Sequence, residues 1–228
     1  MSADIDNWLL DTLIYYRQMD FFTQYQNLSN SELLIEIKKV IKRFYSNNYL
    51  YFLKERDDWY IIRLDNQRVL NIDFDVIYGN DLGIIDINGS IGNLLDISKS
   101  SRGFFAPEQV ISYYINEYNE KIYTTKDLLR YFDSLHPDDN IHRCYKNIVE
   151  FEINGSKYSV VGDYDPSLMA SQINQLIIKT GYQFYLGGFG DPTPMLLLNQ
   201  VEEQKLQQER SLRFSLIKPR VSLVRFNQ

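Results

Sequence analysis

The dipeptide Asn154-Gly155 constrains the fold of this chain more than any other feature in it. A two-residue hairpin loop requires positive φ at both central positions, which Asn tolerates and Gly adopts without steric cost. Such a loop also sets the strand register. It places Ile153 opposite Ser156, Glu152 opposite Lys157, Phe151 opposite Tyr158 and Val149 opposite Val160. The apolar pairs then share one face, and the Glu152–Lys157 pair lies on the other. Turn chemistry, hydrophobic pattern and charge agree on one element.

The chain after this hairpin continues in short elements. Asp165-Pro166 reads as a helix start, an N-cap acceptor followed by a proline preset for the first helical position. Met169, Ile173, Leu176 and Ile177 form the apolar stripe of that helix, and Gly181 is its C-cap. Strands are expected around Phe184 and over Leu196 to Leu198, separated by the loop Gly187 to Pro194. Residues 200–210 read as a polar, charged helix. The last expected strands are Phe214 to Ile217 and Val221 to Phe226, a pair turned at Pro219. Upstream of the hairpin, Pro107 is expected to open a helix with Ile111, Tyr114, Ile115 and Tyr118 on one side. A further helix is expected from Thr124 to Leu135, with Thr124 and Asp127 at capping spacing, before His136-Pro137-Asp138-Asp139-Asn140 breaks the chain.

The N-terminal part reads as a helical pair. Ile5, Leu9, Leu13 and Tyr16 recur at helical spacing within residues 4–26, flanked by Trp8 and Met19. Ser29-Asn30-Ser31-Glu32 is a capping box that opens a second helix. Its stripe is Leu34, Ile37, Ile41 and Phe44, and its solvated face carries Lys38, Lys39, Lys42 and Arg43. A short connection makes the two antiparallel. From Trp59 the pattern changes to alternation. Tyr60, Ile62 and Leu64, a turn at Asp65-Asn66-Gln67, then Leu70, Ile72, Phe74 and Val76 predict a hairpin with one buried face. Leu82 to Ile87 reads as a third short strand, and a short helix is expected near Leu94 and Leu95. The serine-bearing segment Gly89 to Gly103 is the natural boundary. The fold class is therefore α+β, antiparallel hairpins or sheet packed with helices. Region 1–98 (the helical pair plus a β-hairpin region) and region 104–228 are expected to share one core.

With 18 Tyr, 13 Phe and 2 Trp, that core is aromatic, many of its tyrosines half-buried. The formal net charge of −6 argues against general nucleic-acid binding, which needs a cationic footprint. The stretch after Glu209 differs, with Arg210, Arg213, Lys218, Arg220 and Arg225 and no acid; basic edges of a C-terminal strand pair or a phosphate site would explain it. A lone cysteine, Cys144, allows no intrachain disulfide and fits a reducing compartment. Asp4, Asp6 and Asp11 break any signal-peptide pattern, and no stretch approaches about 18 uninterrupted apolar residues. A cytoplasmic location without membrane association is expected.

Three constellations could carry chemistry or contacts. His136, His142 and Cys144 could supply metal ligands or a nucleophile–base pair, although their spacing matches no standard zinc pattern. A polar loop leading into a strand would also explain them. Asp73 and Asp75 place two carboxylates on one strand face, where they could hold a cation, act as acid and base, or meet a cationic partner surface. Like charges that keep a sheet edge from pairing would look the same. The loop Gly187-Gly188-Phe189-Gly190-Asp191-Pro192 does not read as a nucleotide loop. It leaves Phe189 at a tip, as a contact anchor or folded back on the core.

From the Asn154-Gly155 hairpin the chain runs through the Asp165-started helix, the Phe184-Tyr185 strand, a glycine-rich loop, the Leu196-Leu197-Leu198 strand and a Glu/Gln-rich helix from Gln200. This order over residues 145–210 resembles small bacterial proteins found beside polymorphic toxins, where they serve as immunity proteins. The resemblance implies a non-enzymatic protein that binds and blocks a toxin domain, and it transfers no functional residue. The acidic charge suits a basic toxin domain as partner. Asp73, Asp75 and Phe189 are the candidate contacts, and no cofactor is expected. The alternatives are a metal-binding protein or enzyme centred on His136, His142 and Cys144, or a structural subunit with tyrosines at its interface.

Overall fold

A computed structural model of the chain describes residues 3–45, 53–72, 89–116, 118–124, 127, 145–162, 166–188, 193–219 and 223–226. The fold is α+β. The hairpin at Asn154-Gly155 forms as its turn chemistry requires, with φ of 50° at Asn154 and 72° at Gly155. Strands β4 (Tyr145–Ile153) and β5 (Ser156–Gly162) pair in the register that a two-residue loop dictates. Val149, Phe151 and Val160 are buried on one face, and Glu152 and Lys157 lie 3.8 Å apart on the other.

Helices α1 (Ala3–Arg17) and α2 (Asn30–Tyr45) pack antiparallel, with Leu9, Leu13 and Tyr16 buried against Ile37 and Ile41 as expected and against Leu33, while the expected Leu34 is only partly buried and the Phe44 side chain lies outside the described residues. The capping box at Ser29 is present: its amide donates to Glu32 Oε2 at 2.8 Å. The first helix ends at Arg17, well short of residue 26. Asp20 and Phe22 take left-handed backbone there, and the Phe22 amide donates to the buried Asp65 carboxylate at 2.7 Å. The Arg17 guanidinium holds the connection by donating to the carbonyls of Tyr25, Gln26 and Leu28. Lys38, expected to face solvent, instead bonds Asp6 across the pair at 2.9 Å.

Residues 60–64 were expected as a strand and form a helical turn. Asp57 caps α3 (Asp58–Ile62) by accepting the Trp59 amide at 2.9 Å, so consecutive Ile61 and Ile62 are both buried. The turn at Asp65 forms, and β1 (Val69–Ile72) follows it, but its partner is β7 (Thr193–Asn199), over a hundred residues away. Helix α4 (Gly89–Lys99) stands where Leu94 and Leu95 predict one. The helix expected after Pro107 is instead strand β2 (Glu108–Asn116), paired with β4 and with β3 (Ile122–Thr124). Its β-branched and aromatic residues outweigh a stripe that also fits helical spacing. The Asp127 amide donates to Thr124 Oγ1 at 3.2 Å, and the helix expected to run on to Leu135, like the strand expected over Leu82 to Ile87, lies outside the described residues.

Helix α5 (Pro166–Ile177) begins at its proline, and Gly181 closes the following turn at φ 80°. Strand β6 (Tyr182–Gly187), β7 and helix α6 (Gln200–Arg210) follow in the expected order. The final strands, β8 (Phe214–Leu216) and β9 (Val224–Phe226), are not a pair. β8 joins β6, and β9 joins β5 in the other sheet.

Two antiparallel sheets result, sheet A in the order β1-β7-β6-β8 and sheet B in the order β3-β2-β4-β5-β9. Leu196 and Leu198 pack into the cluster of α1, α2 and α3, while Met195, Leu197 and Phe184 pack into a second cluster with α4, α5, Val149, Phe151 and Val160. The layers are therefore helices, sheet A, helices α4 and α5, and sheet B. Both faces of sheet A are covered. Among the described residues, sheet B ends the stack.

Candidate functional site

The outward face of sheet B is set by the hairpin register. With Val149, Phe151 and Val160 inward, alternation turns Ile148 and Val161 outward, and register carries the same face to Ile111, Tyr113 and Ile115 of β2, Ile122 of β3 and Val224 of β9. None of these seven belongs to either buried cluster or packs against one. Ile111 is 53% exposed, Ile122 63% and Val224 50%. An antiparallel sheet with one open face ordinarily alternates apolar with polar residues. Here Ile111, Tyr113, Ile115, Ile122, Ile148 and Val161 adjoin one another on that side, with Lys146, Glu150, Glu152, Lys157 and Ser159 beside them. Tyr113 donates to Glu150 at 2.6 Å. Partial burial, then the Glu150 carboxylate, push its hydroxyl up to about 12.

A second feature lies at the far layer. Trp8, Asp57, Asp58, Trp59, Glu209 and Arg210 line a cleft of about 390 Å³ between α1, α3 and the end of α6. At its base the Tyr16 hydroxyl donates to Asp58 Oδ2 at 2.6 Å, and Arg210 stands 3.6 Å from the same oxygen. The Arg210 guanidinium lies over the Tyr15 ring at 4.0 Å. Desolvation raises the Asp58 carboxyl, opposed by the Tyr16 bond and by Arg210. Desolvation, reinforced by Asp58, raises the Tyr16 hydroxyl far above its ordinary value. Tyr15 is pushed up to about 12, by burial first and then by Glu209. Asp58 and Tyr16 therefore satisfy each other as carboxylate and phenol. This arrangement holds three segments together.

The buried Arg68 and its partner Glu202 serve the framework. Arg68 is fully buried, donates to the Met19 and Leu197 carbonyls, and pairs with Glu202 at 2.7 Å. Glu202 also completes the capping box of α6 with Asn199.

The sequence-derived candidates Asp73, Asp75, Phe189, His136, His142 and Cys144 all lie outside the described residues. Among the described residues no three His, Cys, Asp or Glu side chains gather as a metal site, and no helix is long and apolar enough to cross a membrane. The sheet B patch escaped sequence reasoning because residues 108–116 also satisfy helical spacing. The signal was there: Val110, Ile111, Tyr113, Tyr114 and Ile115 are apolar on both faces of a strand. The cleft carried no such signal, because Trp8 and Trp59 are about fifty residues apart in sequence. Comparison with protein-family models, curated proteins and solved structures found no match.

Proposed function

We propose that this chain is a non-enzymatic protein-binding protein that neutralises a bacterial toxin, with the open face of sheet B as its contact surface. One observation carries the protein-binding reading: an apolar patch of Ile111, Tyr113, Ile115, Ile122 and Ile148, with Ile111 and Ile122 more than half exposed, on a sheet face that no layer covers among the described residues. A patch of this kind, with a tyrosine in it, has the composition of an interface core. The order of elements over residues 145–210 supports the immunity assignment. The formal net charge of −6 favours a basic partner, because opposite overall charge speeds encounter. Glu150 and Glu152 stand beside the isoleucines, with Lys146 and Lys157, so the face orients a partner while the whole chain attracts it.

The test uses the full chain as bait in lysate of its native cell, beside the double variant Ile111→Lys, Ile122→Lys. Both positions are more than half exposed, so the thermal midpoint should not move. The reading requires capture of a basic protein whose own expression arrests growth, and relief of that arrest when the chain is co-expressed. It also requires both to weaken about tenfold or more in the double variant. Capture and relief that are indifferent to the two lysines, or no growth-arresting protein among those captured, would overturn it.

A further inference from the structure

The chain has two tryptophans, and both line the same cleft. Trp59 packs there against Gly187 and Gly188 and meets Phe214 edge-on at 5.3 Å between centroids. The charges around the two indoles do not cancel. Arg210 pairs with Asp58, and Arg56 pairs with Asp4. Among the described residues, Asp57 and Glu209 have no cation within ion-pair distance. Asp57 gives one oxygen to the Trp59 amide and keeps the other. The C-terminus of α6, at Arg210 and Ser211, adds partial negative charge at the same place.

We propose that this cleft takes an arginine or lysine side chain presented by the protein partner, an inference that rests on the partner-binding reading above. Indole faces are the best aromatic surface for a guanidinium or ammonium, and the apolar stem of the incoming side chain suits the same walls. Asp57, which caps α3, and Glu209, which sits beside the Tyr15 hydroxyl, have no described cation as partner and supply the counter-charge. Arg210 already shows the mode in cis, stacked on Tyr15 at 4.0 Å beside a carboxylate. An anionic ligand is disfavoured because both cleft arginines are already engaged by carboxylates of the chain itself.

Because every indole of the chain lies at this cleft, the two indole N–H resonances report on it directly in a nitrogen-15 correlation spectrum. The probe is N-acetyl-arginine N-methylamide, with the matching citrulline compound as its neutral isostere. Arginine should shift the indole resonances saturably, with half-saturation at about millimolar concentration as befits one side chain. Citrulline should bind about tenfold more weakly. The double variant Asp57→Asn, Glu209→Gln should lose the response while folding normally, since asparagine caps α3 as well as aspartate does. An absent shift, equal shifts from arginine and citrulline, or an undiminished response in the double variant would each overturn the proposal. The titration involves no partner, so its failure would leave the sheet B reading standing, and failure of the partner capture would leave this result unaffected.

Discussion

Single residues in this protein do work that their neighbours in sequence do not announce. Gly187 ends β6 where the Trp59 indole crosses, and a methyl group there would overlap Cη2 and Cζ3 of that ring. The required glycine is therefore a matter of close approach and not of turn geometry. Gly187→Ala should destabilise the fold by roughly 1–3 kcal/mol, as overpacking does. It should also displace Trp59 and change the indole emission. Chemical denaturation followed by fluorescence checks both, and an unchanged spectrum with unchanged stability would show that the ring is not seated on Gly187. Asp65 is similar in kind: one carboxylate accepts the Phe22 and Gln67 amides and so joins two connections that sequence reasoning treats separately.

At the scale of elements, α5 is the joint between the two sheets. Its Gln172 reads the backbone of β5, accepting the Val161 amide at 2.9 Å and donating to the Val161 carbonyl at 3.2 Å. Two residues on, Asn174 does the same for β6, accepting the Phe184 amide at 2.7 Å and donating to the carbonyls of Phe184 and Ile217 at 3.1 Å. Both amides are buried, so each acts in place of a strand neighbour at a point where the strand leaves its ladder. Asn174→Ala would leave a buried amide and two carbonyls without this partner, at a cost on the order of 3 kcal/mol. Urea denaturation measures it. A loss under about 1 kcal/mol would mean that the backbone groups find other partners. The segment after Arg210 uses the same joint. β8 completes sheet A, Ile217 bonds Asn174, and β9 then completes sheet B. The cations of this segment are accordingly divided: Arg210 closes the cleft at Asp58, and Arg225 lies at the edge of sheet B, near Ser156.

For the whole molecule, the layer order sets what is open and what is closed. Sheet A lies between two buried clusters, and β7 is buried along most of its length, as a strand covered on both faces must be. Among the described residues sheet B has no layer beyond it, and Ile111 and Ile122 on its outward face are more than half exposed. The same layering sets the response to alkali. Tyr16 is buried beside Asp58, and its hydroxyl holds its proton far more tightly in the folded chain than the ordinary value of 10.0. A raised folded pKa contributes stability that is fully present below the unfolded value and is lost as pH rises through the folded one. The Tyr16 contribution should therefore be flat up to about pH 10 and fall above it. Tyr16 alone adds a slope approaching about 1.4 kcal/mol per pH unit, and Tyr15 and Tyr113 add smaller shares up to about 12. Thermal midpoints at rising pH test this with Tyr16→Phe as control. The variant should start less stable and decline less steeply, and parallel declines would remove Tyr16 as the source.

What the sequence determined by itself was local. The Asn154-Gly155 turn and its register, the capping box at Ser29, the proline start of α5 and the glycine that closes its end all depend on backbone preferences within a few residues, and these need no tertiary context. The aromatic core was also legible: Tyr16, Phe21, Phe22, Phe105, Phe151 and Phe184 are all buried, while most other described tyrosines are partly so. Only the tertiary structure decided the rest. Residues 108–116 carry a pattern that suits a helix or a two-faced strand, and pairing with β4 settled it. Residues 58–62 became a helix because Asp57 caps them and the sheet partner of β1 came from β7. That pairing, like the division of β8 and β9 between two sheets, spans a sequence separation over which no local preference acts. The open patch on sheet B and the meeting of both indoles in one cleft follow from the layer order, which sets long-range packing against solvent exposure and cannot be read one residue at a time.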